Sequence, residues 1–152
     1  MELTFRGEYE YAVDDKGRMV VPPKFREGLT GTVVVGRGAE GQIWVYPKPA
    51  FEQHLLNAQE ADPDTLDADF DMGQRFWLAA NDAEIDRQGR LAIPGLLRRQ
   101  AGIPSTAIVV GNGDRVEIWS PARWDQTYTD WIAAYKTRRD DYQAMRRSGL
   151  RP

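Results

Sequence analysis

Two pentapeptides set an aspartate, a glycine and an arginine at one spacing: Asp14-Asp15-Lys16-Gly17-Arg18 and Asp86-Arg87-Gln88-Gly89-Arg90. Each residue type suits a tight cationic turn. An Asp carboxylate accepts hydrogen bonds from backbone N–H groups two residues on, and Gly takes a positive φ without steric penalty. The turn then exposes the arginine that follows it. Arg18 and Arg90 offer planar guanidinium forks, which match the O6/N7 edge of guanine or a phosphate. Gly17 and Gly89 permit the turns, while Asp14 and Asp86 hold them or brace the guanidinium directly. Lys16 and Arg87 lie beside the arginines and suit phosphate, a contact that positions a protein on DNA without reading sequence. One such pentapeptide alone reads more simply as an ordinary turn whose arginine pairs with the aspartate four residues earlier. A second copy at the same spacing weakens that reading without by itself replacing it.

The duplication is wider than the pentapeptides. Residues 13–26 (VDDKGRMVVPPKFR) align with residues 85–98 (IDRQGRLAIPGLLR), matching Pro22 with Pro94 and Arg26 with Arg98. Val13/Ile85, Met19/Leu91, Val21/Ile93 and Phe25/Leu97 keep apolar character. After a small shift, Val33-Val34-Val35-Gly36 answers Ile108-Val109-Val110-Gly111, followed by Ile43/Val116, Val45/Ile118 and Phe51/Trp124. An ordered match of this length identifies two copies of one unit. Arg26 and Arg98 fall in short helices, where bracing of the turn is preferred to phosphate contact.

The elements that must position the turns follow from periodicity. Tyr9, Tyr11 and Val13 alternate with Glu8, Glu10 and Ala12, the pattern of a half-buried strand. Met19-Val20-Val21 and Leu91-Ala92-Ile93 resume extended structure after each turn. Pro22-Pro23 and Pro94 suit the first turn of a helix, predicting short helices over 22–29 and 94–101 with Gly102 as a stop. Thr32–Val35 and Ala107–Val110 read as buried strands. Gln42–Tyr46 and Val116–Trp119 return as their hairpin partners, after turns at Gly36–Gly41 and Gly111–Asp114. Longer helices are predicted at Pro49–Gln59, at 64–80 with Leu66, Phe70, Gly73 and Trp77 on one face, and from Ser120-Pro121 onward. The class is α+β: strand, strand, short helix, strand, strand, long helix, used twice. One copy is too small to bury its own sheet, so the two are expected to pack together.

Composition bounds the chemistry. The 152 residues contain no cysteine, which excludes disulfides and thiolate sites, and one histidine, which excludes multi-histidine metal centres. No nucleophile–base pair or phosphate-cradling loop stands out, so no enzyme activity, cofactor or small-molecule substrate is expected. With no long apolar run, no membrane association is expected either, and a cytosolic protein is. The net charge of −3 argues against a nucleic-acid partner when taken whole, but the charge is segregated. Residues 61–84 alone carry a net −6, while residues 136–152 carry +4. The arginine turns lie outside the acidic block.

The segments FRGEYEYAVDDKGRMVVPPKFREGL (5–29), DRQGRLAIP (86–94) and RVEIWSPARW (115–124) resemble the MraZ family of bacterial transcriptional regulators, within the AbrB-like (SpoVT-AbrB) swapped-hairpin group. The resemblance covers about residues 5–131. It implies a pseudo-twofold β-barrel in which two β-β-α-β-β units of one chain interleave. It also implies a ring-like homo-oligomer that binds double-stranded DNA at direct repeats in the promoter of a division and cell-wall gene cluster. Repression of the chain's own operon and association with the nucleoid would follow. The corresponding division is a first repeat at 5–50, connecting helices at 51–80, a second repeat at 81–124 and a C-terminal helix with a basic tail at 125–152. The motifs differ internally, Asp15-Lys16 against Arg87-Gln88, so the two turns need not contact DNA equally. The alternative of another class is a protein-interaction module of the antitoxin type, although such a module would be free to lose one arginine.

Three further features carry less. Asp67, Asp69 and Asp71 match the first ligand positions of a calcium loop, but Met72 and Leu78 stand where glycine and glutamate are needed. Metal binding is therefore not expected. Trp124, Tyr128, Trp131 and Tyr135 recur at helical spacing, as a core or subunit-interface stripe does. His54 reads as a packing or surface residue.

Overall fold

The period-two alternation around Tyr9 and Tyr11 becomes an edge strand, β1 (Glu8–Ala12), with both tyrosines half-buried and their neighbours exposed. The computed structural model describes residues 4–59 and 68–149, with the side chains of 58–59 and 68–71 outside that description. After β1 come β2 (Arg18–Val20), α1 (Pro23–Arg26), β3 (Thr32–Arg37), β4 (Ile43–Pro47) and α2 (Lys48–Gln59). The order then repeats after α3 (Ala68–Leu78): β5 (Asn81–Glu84), β6 (Arg90–Ala92), α4 (Gly95–Ala101), β7 (Thr106–Asn112), β8 (Arg115–Trp119) and α5 (Pro121–Arg147).

Strands of the two copies exchange partners. Six form one antiparallel sheet in the order β1-β7-β8-β4-β3-β5. Thus β1 of the first copy pairs with β7 of the second, Tyr9 opposite Val109, and β5 of the second pairs with β3 of the first, Ala83 opposite Val33. The equivalent strands β4 and β8 join the halves, Val45 opposite Val116. The other equivalent pair, β2 and β6, forms a separate two-stranded ribbon. A pseudo-twofold relation therefore runs through β4/β8 and β2/β6. The expected barrel does not close: β1 and β5 remain as edges. Each edge strand runs into its aspartate turn, and the strand that follows pairs with its twin, so none is left to bridge the gap.

Alternation sorts the apolar residues onto two faces. Val33, Val35, Ile43, Val45, Val109, Val116 and Ile118 point to the main core, which Met19 and Leu91 of the ribbon and Phe25 and Leu97 of the short helices fill from the other side. Val34, Trp44 and Tyr46 point away and pack with Phe51 of α2 and Trp77 of α3. Pro22 and Pro94 cap α1 and α4 at φ −50° and −54°, and Gly102 ends α4 in the left-handed conformation. The first short helix stops at Arg26, before the predicted 29, yet Leu29 still reaches the core.

Gly36 and Gly111 were expected in turns and instead lie inside β3 and β7. A β-carbon on Gly36 would meet the Trp44 indole, and one on Gly111 the backbone of Phe5 and Arg6. Close approach, not turning, requires glycine at both. Of the predicted 64–80 helix, residues 64–67, with Leu66, lie outside the described residues, as does the Phe70 side chain. Residues Met1–Ser120 form one compact unit because the copies share a sheet and a core, and Pro121–Pro152 form a second. The basic tail is helical as far as Arg147.

Candidate nucleic-acid interface

Ribbon register brings the two arginines together. Arg18 lies opposite Ala92, Met19 opposite Leu91 and Val20 opposite Arg90. Residues directly opposite in an antiparallel pair share a face. Met19 and Leu91 therefore form the inner face, at 2% and 1% exposure, and Arg18, Val20, Arg90 and Ala92 form the outer one. The arginines are diagonal neighbours, at a spacing of roughly 7–8 Å.

The same bonds build both turns. The Asp14 Oδ1 accepts the N–H groups of Lys16 (3.0 Å) and Arg18 (2.8 Å), and its Oδ2 accepts the Arg18 Nε–H at 2.8 Å. Asp86 does likewise with Gln88 (2.9 Å), Arg90 (2.9 Å) and the Arg90 Nε–H (3.0 Å). The N–H groups of Gly17 and Gly89 close the turns onto Asp14 and Asp86 carbonyls, each glycine at φ +77°. Donation from the Arg18 and Arg90 backbone N–H groups holds the two carboxylates below their ordinary pKa, desolvation opposing and the guanidinium bonds assisting. Aspartate thus both holds the turn and fixes its arginine. The terminal guanidinium nitrogens of Arg18 and Arg90 have no partner among the described residues, and both side chains remain about one-third exposed.

Each turn is also tied to the other copy. The Ile93 N–H donates to the Gly17 carbonyl and the Val21 N–H to the Gly89 carbonyl, both at 2.8 Å. Arg26, whose Nε–H donates to the Val21 carbonyl at 2.9 Å, lies against Gly89 so closely that a β-carbon there would overlap its guanidinium. Arg98 donates to the carbonyls of Ile103 (3.2 Å) and Pro104 (2.7 Å), and its Nη1 lies 3.9 Å from where a Gly17 β-carbon would stand. Both arginines brace carbonyls of their own copy, as preferred from the sequence, and Arg26 does so beside the other copy's turn glycine, a proximity that no pattern in the sequence reveals. Lys16 and Arg87 are exposed beside the arginines. Arg26, Asp86, Arg87 and Gly89 line a depression of about 280 Å³ beside the second turn.

A two-stranded ribbon has the width that the major groove of B-DNA admits, and outward guanidinium groups match guanine edges or phosphates there. Elsewhere, residues not singled out from sequence form a buried polar cluster. The Glu117 carboxylate accepts bonds from the Arg115 Nε–H (3.0 Å), Trp119 Nε1–H (3.1 Å), Asn112 (3.3 Å) and Gln42 (3.4 Å). It pins β8 to its neighbours. His54 packs against Tyr46 and Trp77 and bonds Asp114 at 2.6 Å. Asp67, with the side chains of Asp69 and Asp71, lies outside the described residues. Among the described residues no cluster of metal-ligating side chains occurs, and no helix is long and apolar enough to cross a membrane.

Interleaved copies of a strand–turn–strand unit, with paired aspartate-buttressed turns at their junction, define a chain of the AbrB-like class. The MraZ protein family model matches residues 4–71 and 76–146, and the chain belongs to that family. The Salinispora tropica protein named transcriptional regulator MraZ is 40% identical over 121 residues, 80% of this chain and 84% of that one. Proteins of the same name from Lachnoclostridium phytofermentans and Lactiplantibacillus plantarum are 40% and 39% identical, covering 83% and 86% of this chain. Transcriptional regulation is a non-enzymatic role, in agreement with the sequence expectation.

Proposed function

We propose that the chain is a sequence-specific DNA-binding transcriptional regulator that lays the outer face of the β2–β6 ribbon in the major groove. Arg18 and Arg90 read base edges there, and Lys16 and Arg87 hold the flanking phosphates. The depression between Arg26 and Arg87 accommodates one of those phosphates. The observation that carries the reading is the twofold repetition of one arginine geometry on a single exposed face. A turn whose arginine served only as an internal salt bridge would have no need to be kept in duplicate. An antitoxin-like partner-binding module would not need both arginines either.

Two arginines supply few contacts, so tight binding calls for several chains. A ring-like homo-oligomer on tandem promoter repeats provides that avidity, and repression of the chain's own division and cell-wall cluster is the regulatory outcome proposed. Footprinting on the DNA upstream of the chain's own coding sequence tests it. Protected tandem repeats are expected, and an unprotected promoter refutes the proposal. Light scattering of the free protein tests the ring: a monomer with full DNA affinity is incompatible with it.

A further inference from the structure

Along α5, Tyr128, Trp131, Tyr135, Arg138, Tyr142 and Met145 follow one another at alternating steps of three and four residues, and Trp124 extends the series one step back. This 3.5-residue spacing is the a/d seam of a left-handed two-stranded coil. The seam is wet: no α5 residue is buried, and Tyr128, Trp131 and Tyr135 are 62%, 56% and 52% exposed. Their rings form one stripe, with centroids 6.4 Å apart from Tyr128 to Trp131 and 5.4 Å from Trp131 to Tyr135. Helices of this kind draw most of their stability from packing an apolar face, and on this one the rings of Tyr128, Trp131 and Tyr135 stand more than half exposed.

We propose that the seam is covered by α5 of a second copy of this chain, running antiparallel about a dyad beside Ala133. Three observations select that partner and direction. A parallel pair would set Arg138 against Arg138 in the middle of the seam. In the antiparallel register, Tyr135 meets Trp131 of the second copy, Tyr142 meets Trp124, and Arg138 lies over the Tyr128 ring as a cation–π contact. Charge agrees. Residues 121–134 carry a net −1 and residues 135–147 a net +3, so antiparallel halves attract where parallel ones repel. At the flanking positions, Asp125 comes opposite Arg139 of the second copy, twice by symmetry. The half-exposed aromatics of two helices leave on the order of 1,000 Å² to cover, enough for a small specific interface. Such a contact is closed by its own dyad and differs from the head-to-tail contact that builds a ring. It stands independently of the DNA-binding reading.

The absence of native cysteine makes a single introduced one a clean reporter in the full chain. Under mild oxidation Ala134→Cys, beside the dyad, is expected to give a covalent dimer on a denaturing gel. Tyr142→Cys is expected to stay monomeric there, because its antiparallel neighbour is Trp124. Linkage at 142, or at neither position, overturns the proposal. Asp125→Arg should weaken α5 pairing roughly tenfold, and Asp125→Arg with Arg139→Asp should restore it. Circular dichroism on each variant checks that the helix persists. Pairing that is indifferent to Asp125→Arg removes the antiparallel register.

Discussion

At Arg18 and Arg90 the aspartate takes the Nε–H and leaves the terminal nitrogens outward, so each fork is aimed before any partner arrives. Preorganisation of this kind lowers the ordering cost of binding. Arg18→Ala is expected to weaken operator binding by about 1–3 kcal/mol in a gel-shift titration. It should move stability by less than about 0.5 kcal/mol, since an exposed ion pair contributes little. Arg18→Lys should recover little of the loss, because an ammonium cannot make the bidentate contact. The pH response has a definite sign. Both aspartates have pKa values lowered below 3.8 in the folded protein, so the turns gain stability from them above that value and lose it as pH falls through the lowered one. The Lys16 and Arg18 amide resonances should hold steady from about pH 7 down to about pH 5 and shift together only in stronger acid. Movement near neutral pH would contradict the carboxylate bonding.

The ribbon is the element that turns two local motifs into one face. Its grip depends on glycine at the two turns, and the copies differ there. A β-carbon at position 17 meets the Ile93 carbonyl at 3.2 Å, while one at 89 runs into the Arg26 guanidinium. Both substitutions force a side chain into positive φ, so each should cost about 1–2 kcal/mol. Thermal unfolding should show Gly89→Ala as the more damaging, because Arg26 must also release the Val21 carbonyl. Equal losses would mean that the Arg26 brace carries no weight. The turns themselves were legible in the sequence because aspartate, glycine and arginine act within five residues. Hairpins β3–β4 and β7–β8 were legible through their apolar runs and the turn residues between them. Pairing between copies was not, since nothing local distinguishes a strand that pairs with its neighbour from one that pairs with its neighbour's twin. Gly36 and Gly111 were misplaced for the same reason: a glycine kept for a distant indole or backbone looks like a turn glycine. The open sheet and the Glu117 cluster likewise depend on contacts made far along the chain.

At the scale of the whole molecule, interleaving makes the two copies one cooperative body. Neither copy holds a complete set of strand partners: β1 depends on β7, β5 on β3, and each turn on a carbonyl–amide bond to the opposite copy. A chain of two independent repeats would confine a core defect to the damaged copy. Here the defect should spread without attenuation, because the apolar residues of both copies form one cluster. Ile43→Val, in the first copy and 1% exposed, removes a single methylene from that cluster, at a cost of about 1 kcal/mol. Native-state hydrogen exchange should then show protection falling roughly fivefold at the slowest amides of β3, and by the same factor at those of β7 in the second copy. A drop restricted to β3 and β4 would mean that the copies unfold separately. The proposed binding face would not survive such separation, because Arg18 and Arg90 stand side by side only while β2 and β6 remain paired.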